Sequence, residues 1–291
     1  MNNKIYLMTA IIVFASVGAL LIQPTLASAQ PKNNQNNNNA GNNILGASSG
    51  SSRNSATSLL GTGEELPSAS LSCGQVITSS VKLSANLDCA SDGLLIKGDN
   101  IVLDLNGHTI KGPGPSSSKI GISVAANDGV QIIGSGTIEG YQAGILASGG
   151  DHDIITNVNF DDNQIAIFLT GTTGADIENN MITNNQIGMA AHSASKTTFK
   201  ENVLTENDLA GVTMVNSGDN SIDTNIIKNS KNGIFNDAQS VGNHITTNTV
   251  MENSGVDLNN GNGLPINVND ATFTQNLCQT SVPDGLCTAN Q

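Results

Sequence analysis

The chain has 291 residues, with 24 acidic against 11 basic side chains and a formal net charge of −13 with histidine neutral. A surface of that sign repels phosphate backbones, and polyanionic sugars too unless a cation intervenes, which argues against nucleic acid as a partner. Aromatic residues make up 3% and tryptophan is absent, so the stacking surfaces that sugar-binding and single-strand-binding sites usually exploit are missing.

The first 29 residues carry one charged side chain, Lys4, then an apolar stretch from Leu7 to Ile22, then the small-x-small triplet Ala27-Ser28-Ala29. This is the pattern of a secretory signal peptide cut after Ala29. The alternative is an uncleaved anchor, since the apolar stretch is only slightly short for a membrane span. Loss of Lys4 with the leader would take the net charge from −13 to −14. Residues 30–69 shift to Asn, Ser and Gly, as in NNQNNNNAGNN and GASSGSSRNSATS. With too few large apolar side chains to bury, they read as a disordered tether. Residues 70–291 remain, about 220 residues, one domain with room for a large core.

Within that domain, Gly-apolar steps recur at Gly121-Ile122, Gly144-Ile145, Ala166-Ile167, Gly188-Met189, Gly211-Val212, Gly233-Ile234 and Gly255-Val256, always 22 or 23 residues apart. Self-similarity at that period means a solenoid, a propeller or an array. Helical repeats need about 33 residues and strong helix formers, whereas these units are rich in Asn, Gly, Thr and Ile. Apolar residues alternate over short runs broken by Gly and Asn, for example Ile177, Ile182, Ile187 and Met189, which is the signature of short strands joined by tight turns. Three such strands fill one unit. The expected fold is therefore all-β, a single-stranded parallel β-helix of about eight coils, 22 or 23 residues per coil, rising about 4.8 Å per coil so that equivalent side chains stack in ladders.

Asn180, Asn202, Asn225 and Asn248 fall at successive intervals of 22, 23 and 23. They are predicted to occupy one inner corner, each amide bonding one rung away and each Asn accepting the left-handed backbone of a sharp corner. Asn185, Asn207 and Asn253 mark a second corner, and Ile177, Phe199, Ile222 and Ile245 an apolar core ladder. No Asn-x-Ser/Thr sequon occurs, so the asparagines are not glycan acceptors in the usual sense.

Cys73 and Cys89 open the domain, and Cys278 and Cys287 close it. About eight coils would separate the two pairs by some 35 to 40 Å, while a disulfide needs Cα atoms within about 7 Å. Only the local pairings Cys73–Cys89 and Cys278–Cys287 survive, and they serve as end clips in an exported protein.

The opening CGQVITSSVKLSANLDC followed by LDLNGHTI, within LLIKGDNIVLDLNGHTIKGPG, resembles exported right-handed parallel β-helix proteins of the pectin-lyase-like superfamily. The later Gly-Ile and Ile-x-x-Asn rungs resemble NosD-type copper-associated proteins and the carbohydrate-binding and sugar-hydrolase β-helix repeats. The resemblance covers about residues 70–291 and implies the right-handed form of the helix. It is specific for fold, which hosts lyases, hydrolases, epimerases, tailspikes, adhesins and non-enzymes.

The lyases so resembled use an Arg or Lys base with carboxylate-held calcium, but Arg53, the one arginine, lies in the tether. Of the polygalacturonase motifs only Asp161-Asp162 is present, and a lone pair at a turn is ordinarily turn chemistry. The remaining constellation is Asp128 and Asp151, 23 residues apart, with His152 and Asp153 beside them. Carboxylates that close can share a proton or hold Ca²⁺, and a nearby His can act as acid, base or ligand. The bland reading is a hydrated polar turn. His108 belongs to the Asn-Gly-His-Thr-Ile turn, and His192 and His244 lie in loops off any common ladder. Met189 and Met214 approach His192 by register, with Met189 on an apolar rung, so a copper site would require loops to converge. Glu178 and Lys200 align across one rung. The segments 148–153, 170–176, 192–197, 216–221 and 237–244 all leave one corner, where a β-helix puts a binding face.

The sequence thus reads as an exported, monomeric, non-catalytic structural or recognition module of the cell envelope, with polysaccharide as its ligand and no cofactor. The alternatives are a carbohydrate-active enzyme (epimerase, lyase or hydrolase) using Asp128, Asp151, His152 and Asp153, with or without Ca²⁺, and a copper-associated NosD-like accessory protein.

Overall fold

A computed structural model describes residues 65–288; the expected leader and most of the expected tether lie outside the described residues. The chain winds through three parallel sheets of ten, nine and ten strands as a parallel solenoid of about nine turns. In one turn it runs from the first wall (Asp176–Glu178) to the second (Met181–Thr183) to the third (Ile187–His192). Strand Ser68–Ala69 pairs with Lys82 and Leu83 of the first wall, ahead of the expected boundary at residue 70.

The period-two pattern decides which side chains point inward. Ile155, Ile177, Phe199, Ile222, Ile245 and Phe273 are register partners down the first wall. Phe160, Ile182, Leu204, Ile227 and Val250 do the same on the second, and Ile145, Ile167, Met189, Val212, Ile234 and Leu258 on the third. Apart from Phe273, which is half-buried, all of these are buried. Each fully buried side chain of this size contributes about 1.5–3 kcal/mol.

Glycine opens the long strands of the third wall because adjacent turns touch there. A Cβ on Gly188 would stand 2.6 Å from the carbonyl oxygen of Gly211. The last expected step, Gly255-Val256, misses the column. The register instead pairs Ile234 with Leu258, because the corner before it is longer.

The Asn column is present and longer than expected. The backbone N–H groups of Asn180, Asn202, Asn225 and Asn248 donate to the side-chain Oδ1 of Asn202, Asn225, Asn248 and Asn276, at 2.9–3.0 Å. One expectation is corrected: the left-handed residue is not the ladder Asn but the residue before it. Asn179, Glu201, Thr224 and Thr247 have φ of 57, 54, 57 and 59°. That bend turns the following Asn inward, where its amide replaces the strand hydrogen bonds lost at the corner. The second corner runs through Asn163, Asn185 and Asn207, with Asn253 accepting from Ser230. Disulfides Cys73–Cys89 and Cys278–Cys287 clip the two ends, with Cα–Cα distances of 5.6 and 5.2 Å.

Candidate functional site

The corner from the third wall to the first carries the predicted acidic group. Asp128 and Asp151 are neighbours on adjacent turns, and it is the carboxylates of Asp99 and Asp128 that serve the backbone. Asp151 N–H donates to Asp128 Oδ1 at 2.9 Å, and Asp128 N–H donates to Asp99 Oδ1 at 3.0 Å. Higher in the stack the column continues without charge, through the parallel bridges Asp151–Thr173–Ser195–Gly218. His152 is exposed and left-handed, φ 60°, at a rung where other turns place Gly129, Gly174 and Gly242. Among the described residues, no group of three or more His, Cys, Asp or Glu is arranged to hold a metal ion.

Asp153 differs from its neighbours, being only 4% exposed. Its Oδ1 accepts the Val130 N–H at 2.9 Å, while its Oδ2 is buried with no hydrogen-bond partner. Burial pushes its carboxyl up to about 7, with the charges of Asp128 and Asp151 adding to the rise and the Val130 amide and His152 opposing it.

An open cleft of about 410 Å³ lies instead at the corner from the second wall to the third, lined by Lys111, Pro113, Glu139, Asp161, Asp162 and the glycines between them. Of the segments expected to form the binding face, 148–153, 170–176, 192–197 and 216–221 are short and bridged rung to rung. Lys111, Glu139 and Asp161 are register partners on three consecutive rungs of the second wall. Lys111 Nζ lies 2.9 Å from Glu139 Oε1. That hydrogen bond and charge raise the Lys111 pKa, with smaller contributions from Asp88 and Asp162. Asp161 Oδ1 accepts from Thr183 Oγ1 at 3.2 Å and Asn184 Nδ2 at 2.8 Å, and Asp162 is exposed at a left-handed φ of 50°. Three carboxylates and one ammonium at one opening offer acceptors and a donor of the kind that hydroxyl groups recognise. Sequence reasoning took Asp161-Asp162 as turn chemistry and overlooked Lys111 and Glu139.

The other singled-out residues stay apart. His108 Nδ1 lies 3.2 Å from Asn86 Oδ1, and His244 Nδ1 lies 2.8 Å from Thr272 Oγ1. His192 ends a third-wall strand in register with Thr170 and Val215, and Met189 and Met214 are core residues. Glu178 and Lys200 are register partners, as expected, while Lys200 Nζ also lies 3.5 Å from Glu201.

Among solved structures, the Dettilon tailspike protein is similar at 17% identity with a TM-score of 0.50, over 73% of this chain and 54% of that one. The enzymatically active domain of tailspike protein 2 from bacteriophage CBA120 is 12% identical with a TM-score of 0.42, over 72% and 38%. The A-module of the mannuronan C-5 epimerase AlgE6 of Azotobacter vinelandii is 13% identical with a TM-score of 0.34, over 72% and 68%. The chain thus spans about half the length of the Dettilon tailspike, and that likeness is one of fold. No curated protein matches the sequence. The family described as periplasmic copper-binding protein (NosD) matches residues 75–285, nearly the whole solenoid, and the chain belongs to that family.

Proposed function

We propose that this protein is an exported, non-catalytic recognition module of the cell envelope that binds a neutral or amino-substituted polysaccharide at the Lys111–Glu139–Asp161–Asp162 cleft. The observation that carries the reading is the convergence of one ammonium and three carboxylates from consecutive rungs on one opening in a rigid wall. A rung spacing of about 4.8 Å lets an extended sugar chain meet a polar group at each step, and the acidic surface disfavours polyanionic ligands. At the third-to-first corner the Asp128 carboxylate accepts the Asp151 N–H, which supports a structural role for Asp128.

A glycan array of the purified protein, with product analysis, tests this. Saturable binding without turnover is expected, weakened at least about tenfold (about 1.4 kcal/mol) in Lys111→Ala/Asp162→Ala with the circular dichroism spectrum unchanged. Released product would replace this reading with an enzymatic one, and binding that survives the double change would move the site. The family match favours a second reading, association with copper. It predicts copper retained through purification, measured by elemental analysis, and copper-free protein that takes up none at micromolar metal would dismiss it.

A further inference from the structure

A third side-chain ladder runs down the corner from the third wall to the first. Thr197 N–H donates to Asn220 Oδ1 at 2.9 Å, and Asn220 N–H donates to Asn243 Oδ1 at 2.8 Å. Each amide nitrogen also reaches back to a carbonyl three residues before the rung below it: Asn220 Nδ2 to Ala194 O at 3.3 Å, and Asn243 Nδ2 to Ser217 O at 2.7 Å.

Asp153 occupies the same rung two turns earlier, since Ile154, Asp176 and Thr198, each one residue on, are register partners. Its Oδ1 does what the ladder Oδ1 does, accepting the Val130 N–H of the preceding turn. Its Oδ2 therefore takes the place of a ladder Nδ2, and by the same register the carbonyl at that place belongs to Asn127, three residues before Val130. Where Asn sets an N–H against a carbonyl, Asp sets oxygen against oxygen. Such a pair attracts only when a proton lies between them. The buried, unpartnered state of Oδ2 is what this position dictates for a carboxylate.

We propose that Asp153 is a proton-operated rung. When neutral, its Oδ2–H donates to the Asn127 carbonyl and closes the corner as an Asn would; when ionised, it leaves a buried charge against that carbonyl and loosens the turns on either side. The charged groups around it are Asp128 on the preceding turn, Asp151 and His152 on its own, and Asp176 on the following one. The first two oppose ionisation and His152 favours it. The proposal is independent of the glycan reading, whose cleft lies at another corner.

The sign follows from linkage. The folded-state pKa, about 7, exceeds the ordinary aspartate value of 3.8. The stabilisation is therefore complete below about pH 4, falls as pH rises, and is gone above about 7.

The test is thermal unfolding of the full chain between pH 4 and 8.5, wild type against Asp153→Asn. The two should melt together near pH 4, and by pH 8 the wild type should melt on the order of 5 °C lower. In the wild type, the amide resonance of Val130 should titrate with a midpoint near 7, and it should stay flat in the variant. A melting difference that is constant across pH, a Val130 resonance flat in the wild type, or an Asn variant that fails to fold would each overturn the proposal. The last counts because Asn is what the same column carries further up, at Asn220 and Asn243.

Discussion

At Asn202 one buried side chain closes polar groups on three turns. Its Oδ1 accepts the backbone N–H and the Nδ2 of Asn180, both at 3.0 Å, and its Nδ2 donates to Ile177 O at 2.8 Å and to Asn225 Oδ1 at 3.0 Å. Asn202→Ala leaves the Asn180 N–H buried without a partner and takes from the Ile177 carbonyl the bond it receives from the ladder amide. At about 1–3 kcal/mol for an orphaned group, a loss on the order of 2 kcal/mol is expected, read as a lowered urea midpoint with an unchanged m-value. The column itself was legible, because an inward amide at a fixed period has few other uses. The left-handed bend before it was not legible. Asn179, Glu201, Thr224 and Thr247 fill that position, so no residue type marks it, and the bend is imposed by the turn on whatever side chain points outward there. Asp153 was picked out for its neighbours in sequence, whereas its distinction is that it stands on an amide rung. That became visible only when three-dimensional register set it in line with Asn220 and Asn243.

The strands and corners explain what a fixed period could and could not find. Gly188 illustrates the legible part: its repeat marks the point where one turn touches the next, with the Gly211 carbonyl 2.6 Å from where a Cβ would be. Gly188→Ala should therefore push two backbones apart and cost about 2 kcal/mol. The loss should appear as weakened amide protection in the two flanking third-wall strands, while the second wall stays protected. Ala166, which occupies the equivalent step, shows that the spacing can adjust where the sequence was selected for it, so a change confined to one rung is expected in place of global unfolding. The illegible part is the cleft. Lys111 and Glu139 are register partners 28 residues apart, while Glu139 and Asp161 are 22 apart. The corner after Lys111 contains extra residues, so an alignment at 22 or 23 could not bring the lysine beside the acids. The same effect displaced the Gly255-Val256 step. Variable corners are where a solenoid varies its surface, and they are also where periodicity stops predicting neighbours.

Across the whole molecule, stability is close to a sum of rungs, because each turn contacts only the turns next to it. Opening one end then frees that end without obliging the centre to follow. The two disulfides act on this weakness: each closes a short loop, with sequence separations of 16 and 9, at the outermost turns. There an apolar core would otherwise meet water on its open side. By loop entropy a closure of about 15 residues is worth about 3 kcal/mol, comparable to the burial of one or two core side chains. Cys278→Ser/Cys287→Ser should therefore release the last turn. Hydrogen exchange should lose protection over residues 272–288, and the midpoint of the central turns, followed at the amides of Asn202 and Asn225, should stay within experimental error of the wild type. If the central amides lost protection together with the C-terminal turn, the solenoid would unfold as a single cooperative unit, and its rungs could not be treated as separate contributions.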